Sequence, residues 1–123
     1  MNWERLRYDL RQLSYAYMVV VDDNYKSLIV KNFNLPPGYN FSQIPIKLIL
    51  PANYPENSPG LGSSPVYVPD NLLYNGRTPE DFHESSGTPG WAWWCYEWIK
   101  WKPNKDNLIT FFEMLRAHMT NPR

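Results

Sequence analysis

The apolar positions near the start of the chain recur every three or four residues. Charged side chains fill most of the positions between them, and the apolar set is Trp3, Leu6, Leu10 and Leu13. Apolar residues at this spacing lie along one side of an α-helix. The pattern therefore predicts an amphipathic helix over about residues 2 to 13.

Short apolar runs replace the helical spacing after this segment. The runs are rich in β-branched and aromatic residues, polar or proline-containing turns end each of them, and they cover residues 15–21, 25–33 and 44–50. Short connections between such runs are typical of an antiparallel meander. Pro45 near the start of the third run predicts an edge position or a strand start, because proline cannot donate to a ladder.

The remainder of the chain predicts a long loop and a second helix. Residues 51–90 are rich in proline and glycine, with one short strand at Val66–Val68. Asp106 is a favourable N-cap for a helix over about residues 107–119. The apolar stripe of that helix is Leu108, Phe111, Phe112, Leu115 and Met119. This order predicts an α+β fold in which the last helix packs on one face of the meander.

Length and composition narrow the class of protein. A chain of 123 residues is expected to form a single domain over residues 1–123. Twelve basic and 12 acidic side chains balance each other, which gives no electrostatic case for nucleic acid or an anionic membrane. No apolar run approaches the roughly 18 residues of a membrane span, and no signal-peptide pattern is present. With one cysteine and no metal-ligand or cofactor motif, we expect a cytoplasmic protein without a metal or cofactor.

The segment WAWWCYEWIKWKP, residues 91–103, contains five of the six tryptophans and the only cysteine. In an extended chain Trp91 and Trp93 face the same side as Cys95, and Trp94, Tyr96 and Trp98 face the other. Both sides can be buried only if the long loop covers one of them. Exposed aromatic clusters mark partner surfaces, so a covered core and an exposed partner surface remain alternatives.

Two motifs give this chain a family resemblance. Pro51-Ala-Asn-Tyr54-Pro55-Glu-Asn-Ser-Pro59 follows the third strand, and Cys95 precedes Trp101-Lys102-Pro103 and a helix. This order resembles the ubiquitin-conjugating enzymes over nearly the whole chain. The similarity is greatest to their divergent prokaryotic group, which shares the LPPGYN, LPxxYP and W-x-P-x-x-D-x-L stretches. The His-Pro-Asn motif of the eukaryotic enzymes is missing.

The resemblance implies a fold and a carrier reaction. The fold would comprise an N-terminal helix, a meander of three to four strands, a long proline-rich loop with the cysteine, and a crossover helix. Cys95 would accept a ubiquitin-like modifier from an activating enzyme as a thioester and pass it to an amine of a protein target. Sulfur suits both steps, because a thiolate is a strong nucleophile and a good leaving group.

The same reading assigns roles to other residues. His83 is the first candidate to stabilise the oxyanion, with Asn75 or a backbone N–H as alternatives. Asp106 or Glu97 would orient or deprotonate the acceptor amine, although Asp106 alone would also be explained as a helix cap. The partner-binding residues are expected to be Trp3, Arg7, Tyr54, Pro55, Trp93 and Trp94.

Two other functions stay open at this point. Cysteine is among the most frequently buried residues, and an apolar surrounding makes the thiol inert. The chain would then be a catalytically inactive member of the fold that binds a ubiquitin-like protein or scaffolds its transfer. A third interpretation is a module whose exposed tryptophans bind peptide or carbohydrate.

Overall fold

The computed structural model describes residues 1–60, 64–79, 82–83, 88–95 and 99–120. These residues form two α-helices and six β-strands. In chain order the elements are α1 (Trp3–Ala16), β1 (Val19–Val21), β2 (Ser27–Asn34), β3 (Gln43–Ile49), β4 (Val66–Pro69), β5 (Phe82–His83), β6 (Trp91–Trp94) and α2 (Leu108–Thr120). The predicted α+β class is therefore confirmed.

The six strands form one antiparallel sheet in the order β1-β2-β3-β4-β6-β5. β1 to β4 are a meander, of which the sequence pattern predicts the first three strands and the family resemblance allows the fourth. β6 then pairs with β4, and β5 lies outside β6 at the sheet edge. The sequence pattern predicts neither of these last two strands. The segment expected to be a long loop with one short strand contains that strand as β4 and also contains β5, and the tryptophan segment begins as a strand of the sheet.

α1 is longer than predicted. It continues to Ala16, and the N–H of Tyr17 donates to the carbonyl of Leu13 at 3.0 Å just beyond its end. Leu6 and Leu13 are fully buried, as the apolar spacing predicts. Because the helix uses the residues that follow Leu13, the first strand begins only at Val19.

α2 begins one residue later than expected, and Asn107 caps it. The side-chain carbonyl of Asn107 accepts the N–H of Thr110 at 3.0 Å, and the Thr110 hydroxyl accepts the N–H of Asn107 at 2.8 Å. Such reciprocal bonds satisfy two N–H groups that a helix start leaves unpaired. The predicted cap at Asp106 is wrong. The predicted apolar stripe is confirmed, and its buried members are Leu108, Phe111, Phe112, Leu115 and Met119.

Pro45 lies inside β3, opposite an irregularity of β2. Ile44 pairs with Phe33 and Ile46 pairs with Val30, so β2 carries one more residue than β3 between these pairs. This extra residue is a β-bulge, where a ladder tolerates a missing N–H. The proline is therefore accommodated near the strand start, as the sequence predicts.

The two faces of the sheet differ in burial. The inner face and the apolar stripes of both helices form one core cluster. Side chains on the outer face are half-buried or exposed, and one row of them crosses all six strands. That row is Val20, Ile29, Lys47, Tyr67, Trp93 and His83. The helices thus cover one face and leave this outer-face row open.

Candidate active site

Cys95 follows the last residue of β6 directly. The side chains of β6 alternate, because Ala92 and Trp94 are fully buried whereas Trp91 is half-buried and Trp93 is 38% exposed. The position after Trp94 belongs to the outer side of this alternation, and Cys95 there is half-buried. The predicted division of the tryptophans between two faces is confirmed for these residues.

His83 lies on the strand beside Cys95. It pairs with Trp93 across the β5–β6 ladder, its side chain is exposed, and the centroids of the two rings are 5.3 Å apart. Cys95 comes two positions after Trp93, directly beyond the end of β6. The action of His83 on a thioester at Cys95 stays a prediction.

The alternative candidates have different positions. Asn75 lies in a tight turn over residues 74–77, has a positive φ of 50°, and donates its N–H to the carbonyl of Gly38 at 2.8 Å. This turn therefore holds Asn75 against the loop that contains Gly38. The predictions that fall outside the described residues concern Tyr96, Glu97 and Trp98.

Asp106 lies in the segment that leads into α2. Its carboxylate accepts the N–H of Lys102 at 2.7 Å, and its own N–H donates to the Lys102 carbonyl at 2.7 Å. The carbonyl of Asp106 accepts a hydrogen bond from the guanidinium of Arg5. The carboxylate thus closes residues 102–106 into a compact turn, and its role towards an acceptor amine stays a prediction.

The two motifs behind the family resemblance are in contact. The indole N–H of Trp101 donates to the carbonyl of Pro55 at 2.7 Å, and the rings of Trp101 and Tyr54 have centroids 5.9 Å apart. Tyr54 is only 1% exposed, and the Tyr54–Pro55 peptide bond is cis. The W-x-P element and the loop after β3 therefore support each other on the path from Cys95 to α2.

A polar cluster that the sequence patterns missed lies behind Tyr54. The Tyr54 hydroxyl donates to the Asp9 carboxylate, and Arg5 donates to the same carboxylate oxygen at 2.9 Å. Asp9 is 1% exposed, and its other oxygen has no hydrogen-bond partner in the part of the chain that the structure describes. Burial and the Asp9 carboxylate raise the pKa of Tyr54. The sequence did contain a signal for this cluster, because Asp9 is a charged residue on the same side of the helix as Leu6 and Leu13.

Trp94 connects β6 to α2. Its indole N–H donates to Nδ1 of His118 at 3.4 Å, and the two rings meet edge to face with centroids 6.2 Å apart. The residue before Cys95 is thus held by both the core and the last helix.

The six predicted partner-binding residues divide into two groups. Trp3 is 46% exposed, Trp93 is 38% exposed, and Arg7 is exposed on α1. The buried group is Tyr54, Pro55 and Trp94. The exposed three are accessible at the surface, and their contact with a partner stays a prediction. Direct contact of a partner with the buried three stays a prediction, and it would require the chain to open.

Among the described residues, the His, Cys, Asp and Glu side chains form no group of three or more that could hold a metal ion. Neither of the described helices has the length and apolar character needed to cross a membrane.

Comparison with known proteins assigns the chain to a family. Residues 4–121 match the family described as Prokaryotic E2 family E. The chain belongs to this prokaryotic E2 family. No curated protein and no solved structure gives a significant match. The resemblance to the ubiquitin-conjugating enzymes, and to their prokaryotic group in particular, is confirmed.

The match to Prokaryotic E2 family E begins in the first turn of α1 and continues past the end of α2. It therefore includes all six strands, the loop after β3 and the segment from Cys95 to α2. Membership of an E2 family indicates a ubiquitin-conjugating-like function and protein partners such as a modifier and an activating enzyme.

Proposed function

We propose that this E2-family chain accepts a ubiquitin-like modifier from an activating enzyme as a thioester on Cys95 and passes it to a target amine. The observation that carries the proposal is the half-buried position of Cys95 directly after β6, on the open side of the sheet. The neighbouring Trp94 is fully buried. A thiol on that inner side would be out of reach of a partner's C-terminus.

The bonds that form and break in this reaction are those of the Cys95 thiol and its partners. The Cys95 thiolate attacks the carbonyl of the thioester that joins the modifier to the activating enzyme, whose thiolate leaves. A target amine then attacks the new thioester, the Cys95 thiolate leaves, and the proton of the amine passes to the departing thiolate or to water. An ordinary thiol has a pKa near about 8.5, so a few per cent is thiolate at neutral pH.

The second step forms an oxyanion that a positioned donor stabilises. We assign this role to His83, whose exposed imidazole contacts the Trp93 ring on the strand beside Cys95. Loss of one such donor lowers the rate by about 10²–10³ in other acyl-transfer sites. Asp106 would orient the acceptor amine. Trp3 and Arg7 on α1 and Trp93 on the sheet would contact protein partners.

The first prediction concerns Cys95→Ala. We expect the wild-type protein, incubated with its activating enzyme, ATP and the modifier, to form an adduct that reductant removes on a gel. Cys95→Ala should form none, because it has no sulfur to acylate. Cys95→Ser is the matched control, since its hydroxyl forms an oxygen ester that reductant leaves intact. Absence of any adduct while the modifier still binds would overturn the proposed reaction.

A second candidate function is supported by a different observation. Trp93 is 38% exposed within the outer-face row, which the helices leave uncovered. Exposed aromatic residues are frequent anchors of protein interfaces. A catalytically inactive E2-like module would use this surface to bind the modifier, and its binding would be unchanged in Cys95→Ala. The adduct experiment therefore separates the two functions.

A further inference from the structure

β1 forms one edge of the sheet, with β2 as its one neighbour among the described strands. At one end of β1 the N–H of Lys31 donates to the carbonyl of Met18 at 2.8 Å. At the other end the N–H of Asp22 donates to the carbonyl of Ser27 at 3.1 Å. Hydrogen-bonded and non-hydrogen-bonded pairs alternate along an antiparallel ladder, so residues 18, 20 and 22 bond towards β2.

The backbone groups of Val19 and Val21 consequently point away from the sheet. Natural proteins protect such an edge with charged side chains, proline or a bulge. Residues 17–21 read Tyr-Met-Val-Val-Val, with no charge and no proline. The pairing of β1 with β2 has no register shift. The edge is therefore open to a further strand, which would bond to Val19 and Val21.

Exposed apolar side chains are concentrated around this edge. Four of the eight large apolar side chains that are exposed among the described residues fall within residues 15–25. They are Tyr15, Met18, Val20 and Tyr25, of which Met18 is 61% and Val20 is 46% exposed. Apolar side chains gathered at one place on a surface are typical of an interaction site. The surroundings of the edge thus suit an apolar partner strand.

The two ends of the edge differ in charge. Asp22 and Asp23 follow β1 and outnumber Lys26 in the same turn. Lys31 lies opposite Met18, at the start of β1. An identical strand that runs antiparallel brings the acidic end of one copy beside the basic end of the other. Charge complementarity of this kind selects partner and orientation, so it favours a second copy of this chain.

We propose that β1 of one chain pairs antiparallel with β1 of a second copy, which joins two six-stranded sheets across a two-fold axis. Val19 then exchanges N–H···O=C hydrogen bonds with Val21 of the second copy, and the two-fold axis repeats this exchange. Val20 lies opposite Val20 on the outer face. The contact involves only the β1 edge, so the dimer is independent of the proposed reaction at Cys95.

The paired length limits the strength of this dimer. Stable interfaces bury about 1,200–2,000 Å² in total, and a three-residue strand with a few flanking side chains falls below this range. We therefore expect a dissociation constant on the order of 10⁻⁴ M. The protein is then a monomer in dilute solution and a dimer where it is concentrated.

The second prediction compares Val20→Glu with Phe41→Glu by sedimentation velocity. The two side chains are similarly exposed, at 46% and 39%, and Phe41 lies outside β1. Between about 10 μM and 1 mM, the average mass of the wild type and of Phe41→Glu should rise towards twice that of the monomer. Val20→Glu places like charges directly opposite each other, which should weaken the dimer at least about tenfold.

A mixture of charge variants tests the register. Val20→Lys alone should be as monomeric as Val20→Glu, whereas an equal mixture of the two should dimerise at least as well as the wild type. Opposite charges then face each other across the two-fold axis. A mixture that dimerises no better than its components would overturn the proposal. A wild type that stays monomeric at about 1 mM would also overturn it.

A cross-link provides a second measurement that works for a weak dimer. Opposed residues of a non-hydrogen-bonded pair have Cα atoms about 4.5 Å apart, within the range of a disulfide. Val20→Cys is made together with Cys95→Ser, which removes the one natural cysteine. Added diamide takes up the two hydrogens of the thiols as the disulfide forms. The cross-linked dimer should form and should disappear with reductant.

Phe41→Cys in the same Cys95→Ser background is the control for chance collisions. Equal cross-linking of the two cysteine variants would overturn the proposal, because the contact would then have no preference for β1. Urea unfolding establishes that each variant is folded. If Val20→Glu does not fold, the cross-link decides the outcome, since cysteine is close to valine in size and keeps the strand apolar.

Discussion

Tyr54 donates its hydroxyl to the buried carboxylate of Asp9, which has few other hydrogen-bond donors. In the described residues one oxygen of Asp9 has no partner, and the other accepts from Tyr54 and Arg5. Removing one donor from a buried, charged acceptor leaves desolvation without compensation. The motif tyrosine is thus a donor to α1 as well as a packed ring.

The third prediction is that Tyr54→Phe lowers the free energy of unfolding by about 1–3 kcal/mol at neutral pH. Urea unfolding measures the change. Tyr15→Phe is the control, since Tyr15 is 78% exposed and its loss of a hydroxyl should have almost no effect. A Tyr54→Phe variant as stable as the control would show that the hydroxyl does not contribute to stability.

The same variant should alter the stability at high pH. Burial and Asp9 raise the pKa of Tyr54 in the folded protein, whereas the unfolded phenol titrates near about 10. Above that pH the unfolded chain releases a proton that the folded chain retains, so stability falls as pH rises, by up to about 1.4 kcal/mol per pH unit. Tyr54→Phe removes this contribution. Part of the decline should persist, because burial also raises the pKa of Tyr17.

Single residues also mark where sequence reasoning stops. Asp106 and Asn107 are adjacent and both suit an N-cap. The structure uses Asn107, because Lys102 occupies the Asp106 carboxylate and Arg5 binds the Asp106 carbonyl. The Arg5 contact comes from the far end of the chain, so no local pattern reveals it. Asp9 is different, since its place on the apolar side of α1 was visible in the sequence.

The helices and strands that could be predicted from the sequence are those whose pattern of apolar and turn residues lies within the element itself. Both helices carry apolar stripes at helical spacing, and the meander strands are bounded by turn residues. β5 has two residues, and its strand conformation follows from pairing with β6. β6 carries tryptophan on both faces, so it lacks the apolar and polar alternation that indicates a strand. These two strands are set by tertiary contacts.

The loop of the LPPGYN stretch requires glycine at residue 38 for two reasons, the backbone conformation and the space beside it. Gly38 has a φ of 108°, and a Cβ there would lie 2.5 Å from a ring carbon of Tyr74. Tyr74 also contacts the ring of Tyr39, whose hydroxyl donates to the carbonyl of Met119 in α2 at 2.7 Å. A side chain at residue 38 would therefore displace the contact between this loop, the turn at 74–77 and the last helix.

The fourth prediction compares Gly38→Ala with Gly76→Ala. Both glycines have a positive φ, so alanine at either costs about 1–2 kcal/mol of backbone strain. At Gly76 nothing lies within 4 Å of the added Cβ. Gly38→Ala should therefore be less stable by a further 1–3 kcal/mol, roughly the cost of overpacking, in urea unfolding. Equal losses at the two positions would show that Tyr74 moves aside without cost.

The two faces of the sheet differ in burial across the whole molecule. Both helices and the inner face share one core, whereas the outer-face row is half-buried or exposed and ends at His83, which pairs with Trp93. The family match extends over the complete arrangement. Neighbouring residues of β6 therefore differ in burial, because successive side chains of a strand point to opposite faces.

The fifth prediction follows from this division and concerns Trp93 and Trp94. Trp94→Ala removes a fully buried ring and should lower the free energy of unfolding by about 3–5 kcal/mol. Trp93→Ala removes a ring that is 38% exposed and should cost much less, while weakening modifier binding and transfer. Urea unfolding and a binding titration with the modifier measure the two effects. If Trp93→Ala binds and transfers like the wild type, the outer face is not the partner surface, and the exposed residues of α1 become the remaining site for partner contact.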